Sequence, residues 1–481
     1  MNLVYNIKDK PKFGQTLLFA LQQLLAIMAA TIAVPAIINN GFDGVEVGMS
    51  QTAALFGAGV GTLVYLLFTK FRSPVFLGSS FAFIGSMFAA FAGAVSTVEL
   101  GYVGLIIGAC FAGLVYVIIA IVVKFVGVKW INKLMPAIVI GPTVAIIGLS
   151  LASNAVGDLV GTSSTANTYV CIVCGLVTLA VTMLCSVYGK KMLKMIPFVI
   201  GILAGYAVAS IFTVIGLLTK NEALQVINFS LFKDIAWLPS FTFQKIPAGF
   251  TKLAELFKMP VEAGELNKGL AYLFTIAVAY VPVAFVVFAE HIADHKNLSS
   301  IVGVDLTKDP GLHRTLLGDG IGSFAGALFG GCPNTTYGES IGCVAISGNA
   351  SVVTILCTAI MAIVVSFIGP FATFLATIPA CVMGGVCIAL YGFIAVSGLK
   401  MIQKVDLNNN RNLFVVSVIL IAGVGKLAVS FGSIELTEVA CALILGILTN
   451  LILGGMSKKH AQEVEPLEAT MGLETEEKTE E

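Results

Sequence analysis

Two acids stand where an apolar chain should tolerate none. Glu290 closes an almost uninterrupted apolar run that begins at Leu270. Glu339 follows the polar string Pro333-Asn334-Thr335-Thr336-Tyr337-Gly338 between two further apolar stretches. Carboxyl groups are expensive in hydrocarbon, so an acid kept there marks a functional site by default. His291, Asp294 and His295 follow Glu290, and three of the four histidines in the chain lie between 291 and 313. On a helix Glu290 and Asp294 share one face, and His291 and His295 share another. A metal site would need a third and fourth ligand that the spacing does not offer, so none is expected. Asp294 and His291 read as the interfacial polar end of a helix. Glu290 and Glu339 can accept from ligand N–H groups, and burial raises a carboxyl pKa enough for proton exchange near neutrality. No nucleophile–base set and no phosphate loop accompany them. That argues against a membrane enzyme, and no cofactor is expected.

Such acids need a bilayer around them, and the composition supplies the reason for one. The 481 residues are 57% hydrophobic and 11% charged, against about 25% charged in a soluble domain. A soluble fold could not hide that much apolar surface, so the lipid bilayer is the expected partner. No basic stripe points to nucleic acid. The ten cysteines form no framework, and the Cys171–Cys174 pair lies in an apolar stretch without companion ligands, so helix packing is its expected role. The first apolar run, from Thr16 to Ile38, is too long for a signal-peptide core and reads as a spanning helix.

A span takes about 20 apolar residues, and about fourteen candidates follow from that length. They lie near 15–38, 50–69, 75–95, 102–125, 134–154, 168–188 and 194–218, then near 268–292, 314–331, 334–347, 350–369, 375–399, 411–430 and 433–455. Lys and Arg gather in every second connection: Lys8/Lys10/Lys12, Lys70/Arg72, Lys124/Lys129/Lys133, Lys190/Lys191/Lys194, Lys296/Lys308/Arg314, Lys400/Lys404/Arg411 and Lys458/Lys459. The loops at 39–49, 96–101, 155–167 and 368–374 hold none. Basic loops stay cytoplasmic, so both termini are expected inside the cell membrane. Residues 219–267 read as a long external loop, and the Glu-rich 463–481 as a disordered tail.

Met135-Pro136-Ala137-Ile138-Val139-Ile140-Gly141 matches Ile378-Pro379-Ala380-Cys381-Val382-Met383-Gly384 at Pro, Ala, Val and Gly. These strings open the fifth and twelfth segments, the same place in two halves of seven. An odd count inverts the second half, and inverted repeats place a transporter's site where broken helices of the two halves meet. The breaks are Leu77-Gly78-Ser79-Ser80-Phe81-Ala82-Phe83 in the third segment and Gly330 to Ser340 in the tenth. Gly, Ser, Pro, Asn and Thr form helix poorly, and extended backbone survives in lipid only when paired or facing a polar cavity. Two short extended stretches, each leading into a half-helix with free N–H groups, are expected there.

These strings, together with Ala289-Glu290-His291, His295 and Asp309-Pro310-Gly311-Leu312-His313-Arg314, resemble the nucleobase–cation symporter-2 family, also called the nucleobase–ascorbate transporter family, from about Phe13 to Leu453. The Thr-Thr-Tyr-Gly-Glu string is similar to its uracil branch. The resemblance implies an all-α polytopic membrane protein of about fourteen segments in seven-plus-seven inverted repeats. It implies a core domain at 13–134 and 268–374, a gate domain at 135–218 and 375–456, the external insertion 219–267 and an acidic tail at 457–481. The implied activity is import of uracil or a related nucleobase by proton symport. Xanthine transport is the alternative within the family, and an anion channel or exchanger of the same fold is the alternative outside it. By motif position, Glu290 and Glu339 would bind the base and Phe81 and Gly338 would offer N–H groups. Ala30, Tyr337 and Tyr391 would line the pocket, and His295 would couple the proton together with Glu290. A homodimer through the gate domain is also implied. Gln23 departs from the pattern, because close uracil permeases can carry His at that helix-1 position.

Overall fold

The computed structural model describes residues 3–468 except 43–46, 93–96, 128–135, 163, 165, 191–192, 194–195, 234, 236, 261–265, 404, 432–433 and 437. Lys129, Lys133, Met135, Lys191, Lys194 and Lys404, which carry part of the charge and repeat patterns, lie outside the described residues.

Uninterrupted apolar runs fold as α1 (Phe13–Asn40), α2 (Gln51–Phe68) and α4 (Val98–Val126). Between the last two, the chain forms strand β1 (Leu77–Ser79), a 3-10 turn (Phe81–Phe83) and the half-helix α3 (Ile84–Phe91). Next come α5 (Ala137–Ser150), α6 (Ala152–Val160), α7 (Thr168–Tyr188) and α8 (Pro197–Thr219). The insertion holds short 3-10 turns and the amphipathic α9 (Ile246–Lys258). The second half repeats the plan. It runs α10 (Lys268–Val302), α11 (Leu312–Gly330), strand β2 (Asn334–Thr336), half-helix α12 (Gly338–Ser347), α13 (Val352–Val365), α14 (Gly369–Ala376), α15 (Ala380–Ile402) and α16 (Asn410–Val424). A β3–β4 hairpin (Val429–Phe431, Ile434–Leu436) and α17 (Glu438–Glu468) close it. Helices start on side-chain caps such as Ser50, Thr97, Asn167 and Asn267 and stop on left-handed glycines such as Gly303, Gly331 and Gly348.

Each expected segment falls on a helix, but fewer of them span alone. Among the described residues eight helices are long and apolar enough to cross a bilayer, and α13 with α14, bent by 83°, makes a ninth. The shortfall has local causes. The third and tenth segments are half-helices behind strands, and α11 is diluted by glycine. The recurring Pro-Ala strings do the same job twice: Pro136 and Pro379 are extended N-caps of α5 and α15. The tail differs from expectation, since α17 continues to Glu468 into the segment read as disordered.

Small residues set the packing. Gly318, Gly322, Gly326 and Gly330 line one face of α11 at four-residue spacing. A Cβ on Gly322 would come within 2.7 Å of the Gly61 carbonyl oxygen of α2, and one on Gly320 within 2.6 Å of the Tyr116 Cβ of α4. Helices that lack a hydrophobic drive in lipid associate through such close backbone approach. Residues of α5 and α15 meet likewise, a Cβ on Gly398 reaching 2.7 Å from the Ala145 Cα. The result is one bundle around α2, α4, α10 and α11 and another around α5, α7, α8, α15, α16 and α17.

Candidate functional site at the crossing of the two broken helices

The two extended breaks meet. β1 pairs antiparallel with β2, with Leu77 opposite Thr336, Gly78 opposite Thr335 and Ser79 opposite Asn334. Unpaired backbone in a bilayer costs several kcal/mol per group, and neighbours satisfy the strand edges here. The Thr62 hydroxyl of α2 donates to the Leu77 carbonyl at 3.2 Å and accepts from the Leu77 N–H at 2.9 Å. The Asn334 amide donates to the Gly57 carbonyl at 3.1 Å. The Ser80 N–H reaches the Pro333 carbonyl at 2.9 Å, and the Tyr337 N–H reaches that of Phe76 at 3.2 Å. Tyr337 locks the far end by donating its hydroxyl to the Ser79 carbonyl at 2.7 Å.

Both strands then lead into helix starts whose N-caps, Ser80 and Tyr337, make no side-chain capping bond. Free first-turn N–H groups favour negative or carbonyl groups of a ligand. A Cβ on Gly338 would meet nothing within 4 Å, so open space stands in front of that turn. The space is a cavity of about 370 Å³ lined by Glu290, Asp294, Gly338 and Glu339 on one side. Val144 of α5, Phe198 of α8 and Leu390, Ile394 and Ser397 of α15 wall the other. It continues to Ile346 and Met401, at the ends of α12 and α15. A narrower pocket of about 60 Å³ extends it between Phe81, Tyr337 and Glu290. A separate cavity of about 520 Å³ lies at the opposite end, between Asn39, Thr373 and Leu238.

The expected site residues fall in three places. Glu290, Glu339, Gly338, Phe81 and Tyr337 all line these two connected cavities. Tyr391 lies one layer behind, edge-to-face with Phe81 at 5.9 Å, and Ala30 is buried inside α1. His295 faces away from the cavity. Its Nε2 lies 2.7 Å from the Tyr65 hydroxyl and its Nδ1 lies 2.8 Å from the His291 carbonyl oxygen. His291 is buried too, 2.7 Å from Asp319 and 3.0 Å from the Thr315 hydroxyl.

Sequence reasoning missed two acids. Asp294 was read as an interfacial group, yet it lines the cavity and accepts from the Thr336 hydroxyl of β2 at 2.6 Å. Its place one turn after Glu290 was the available signal. Asp319 sits in the middle of α11, where any acid within a spanning segment is a candidate. Gln23 holds the site from behind: its amide reaches the Ser340 hydroxyl and, at 3.2 Å, the Ser340 carbonyl, tying α1 to α12.

Paired strands of opposite chain halves, two uncapped half-helices and acids between two helix bundles define a multi-pass membrane transporter of inverted-repeat type. The likeness to solved structures agrees on fold. The transmembrane domain of the cyanobacterial bicarbonate transporter BicA aligns with a TM-score of 0.57 at 18% identity, covering 92% of this chain and all of that one. SLC26A9 aligns at 0.61 and 13% identity, covering 92% of this chain and 65% of that one. A model described as Permease family matches residues 14–431, and the chain belongs to that family, the nucleobase–cation symporter-2 permeases. Uracil permeases of Bacillus caldolyticus and Bacillus subtilis are each 38% identical to it, over 94% and 95% of this chain and 95% and 96% of theirs. That of Escherichia coli K12 is 34% identical over 95% of this chain and 96% of its own.

Proposed function

We propose that the chain imports uracil by proton symport with alternating access. The observation that carries this is the shared cavity of Glu290, Glu339 and the open Gly338 turn. Uracil has two N–H donors and two carbonyl acceptors on a flat ring. Carboxylates accept from the former, and the N–H groups of Gly338 and Phe81 donate to the latter. A site built from such bonds rejects analogues lacking the groups. Tyr337 closes the pocket at one end. Tyr391 acts through Phe81, and Ala30 acts by giving α1 a smooth face. The uracil permeases above support the substrate. Acids at the helix break speak against an anion as cargo.

Glu290 and Asp294 share the proton-carrying part, facing one cavity from successive turns of α10. His295 contributes from behind, holding that turn through Tyr65. Residues 13–134 and 268–374 act as the core domain and 135–218 and 375–456 as the gate. The acid-lined cavity runs to Met401, beside Lys400 at the end of α15, which supports an inward-facing reading in the cell membrane with both termini cytoplasmic. The protein works as a homodimer through the gate domain. The test is uptake of labelled uracil into proteoliposomes driven by an inside-alkaline pH gradient, with xanthine as competitor. Saturable uptake that collapses with the gradient and resists xanthine is expected. Uptake blind to the gradient, or blocked equally by xanthine, overturns the reading.

A further inference from the structure

A second cavity with charge on its rim lies outside the transport path. It measures about 280 Å³ and sits where the C-terminal end of α4 meets the first turn of α11. Its rim carries Lys124, His313 and Arg314, and its floor is Ile121, Phe125 and Leu317. Burial, with the charges of Arg314 and Lys124, holds His313 below the usual imidazole pKa, so it faces the groove as a neutral ring. Acids that could neutralise them are engaged elsewhere: Asp309 holds Arg72 at 2.7 Å, and Asp305 holds Lys308 at 3.5 Å. Among the described residues neither Lys124 nor Arg314 makes an ion pair. The α11 N-terminus adds to the same sign, because its N-cap, Gly311, provides no side-chain cap.

Two cations, Lys124 and Arg314, held at one groove without a counter-charge are unfavourable unless something anionic joins them. The apolar floor says what kind. Phe125 and Ile121 are 77% and 50% exposed on helix α4, a membrane span, so the groove continues into the hydrocarbon side. A small hydrated anion would gain nothing from that floor, whereas an acyl chain would. Basic pockets between spanning helices on the cytoplasmic side suit anionic lipid headgroups.

We propose that this groove binds one anionic phospholipid, its phosphate between Lys124, His313 and Arg314 and an acyl chain along Ile121, Phe125 and Leu317. The lipid ties α4 to α11, the helix that leads directly into β2 and the Glu339 turn. The site stands apart from the transport cavity and rests only on the chain being a membrane protein. Its failure therefore leaves the uracil reading intact, and uracil binding measured on the same samples separates the two.

The experiment is native mass spectrometry and thermal melting of the purified full chain. Dioleoyl phosphatidylglycerol, dioleoyl phosphatidylcholine and glycerol 3-phosphate are added in parallel. Wild type should retain one phosphatidylglycerol and melt several degrees higher with it than with phosphatidylcholine. The double variant K124Q/R314Q should hold phosphatidylglycerol about tenfold or more weakly while binding uracil as wild type does. A K8Q/K190Q control, of the same two-charge loss elsewhere, should keep the preference. Equal retention of both lipids by wild type overturns the proposal whether or not the variant folds. So does undiminished phosphatidylglycerol binding by the double variant. Competition by glycerol 3-phosphate as strong as by the lipid makes this a free-anion site and overturns it also.

Discussion

At the residue scale, the four acids within α10, α11 and α12 divide by what they face. Glu290, Asp294 and Glu339 look into one cavity, while Asp319 looks at His291. Gln keeps the shape of Glu but adds a fixed donor and cannot cycle a proton. Glu290→Gln and Glu339→Gln should each weaken uracil binding by about 2–4 kcal/mol, the cost of mispairing a buried polar contact. Calorimetry on purified protein reads this, and wild-type affinity in both variants would remove the acid-lined site. Asp294 and His295 should separate by experiment. Asp294→Asn should keep uracil counterflow between equal pools yet lose accumulation against a gradient. His295→Ala leaves the Tyr65 hydroxyl and His291 carbonyl short of a partner, so it should cost about 1–3 kcal/mol of stability. Normal accumulation by Asp294→Asn, with coupling lost in His295→Ala at unchanged melting temperature, would reverse the two roles. Glu290 and Glu339 were legible in the sequence because a lone acid in an apolar run is an anomaly. The parting of Asp294 from His295 was not legible, because one residue's difference on a helix rotates the side chain by about 100° and only the packed neighbours say which direction is the cavity.

At the element scale, the breaks were readable from composition, since Gly, Ser, Pro, Asn and Thr cannot hold a helix in lipid. Their pairing followed from the need to satisfy backbone groups. The register did not follow, because it depends on Thr62, Asn334 and the glycine face of α11. The insertion was readable only as external. In the structure it is a strap fastened at both ends. On one side the Thr213 hydroxyl of α8 accepts from the Val226 and Ile227 N–H groups, each at 3.0 Å. On the other, Phe241 sits against Phe56 and Phe329 at ring distances of 4.9 and 5.9 Å, and the Lys245 ammonium lies 3.9 Å from the centre of the Tyr102 ring. Leu231, Leu238 and Ser240 between these anchors line the cavity at the end opposite the acids. Phe241→Ala should therefore loosen a cover. A cysteine at Thr373, in that cavity, should react severalfold faster with a membrane-impermeant maleimide once Phe241 is truncated. Equal rates would show that the strap does not restrict access.

At the scale of the whole molecule, two inverted halves make two cavities with the strand crossing between them. One is lined by Ser397 near the C-terminal end of α15, the other by Thr373 and Ile378 near its N-terminal end. The inversion was legible because seven segments per half is odd and Pro136 and Pro379 mark the same helix start. The state of the transporter was not legible, since both states share every local preference and differ only in which end of the cavity is closed. The acid-lined cavity ends at Met401, beside Lys400, and that makes the orientation testable in one experiment. A cysteine at Ser397, in a background with Cys110 and Cys343 replaced, should label from the cytoplasmic face of inside-out vesicles. Uracil should protect it by filling the cavity. A cysteine at Leu238, in the strap, should label only from outside intact cells and regardless of uracil. If Ser397 instead labels from outside and Leu238 from inside, the charge asymmetry has been read upside down. The path assigned to uracil then runs the other way through an unchanged site.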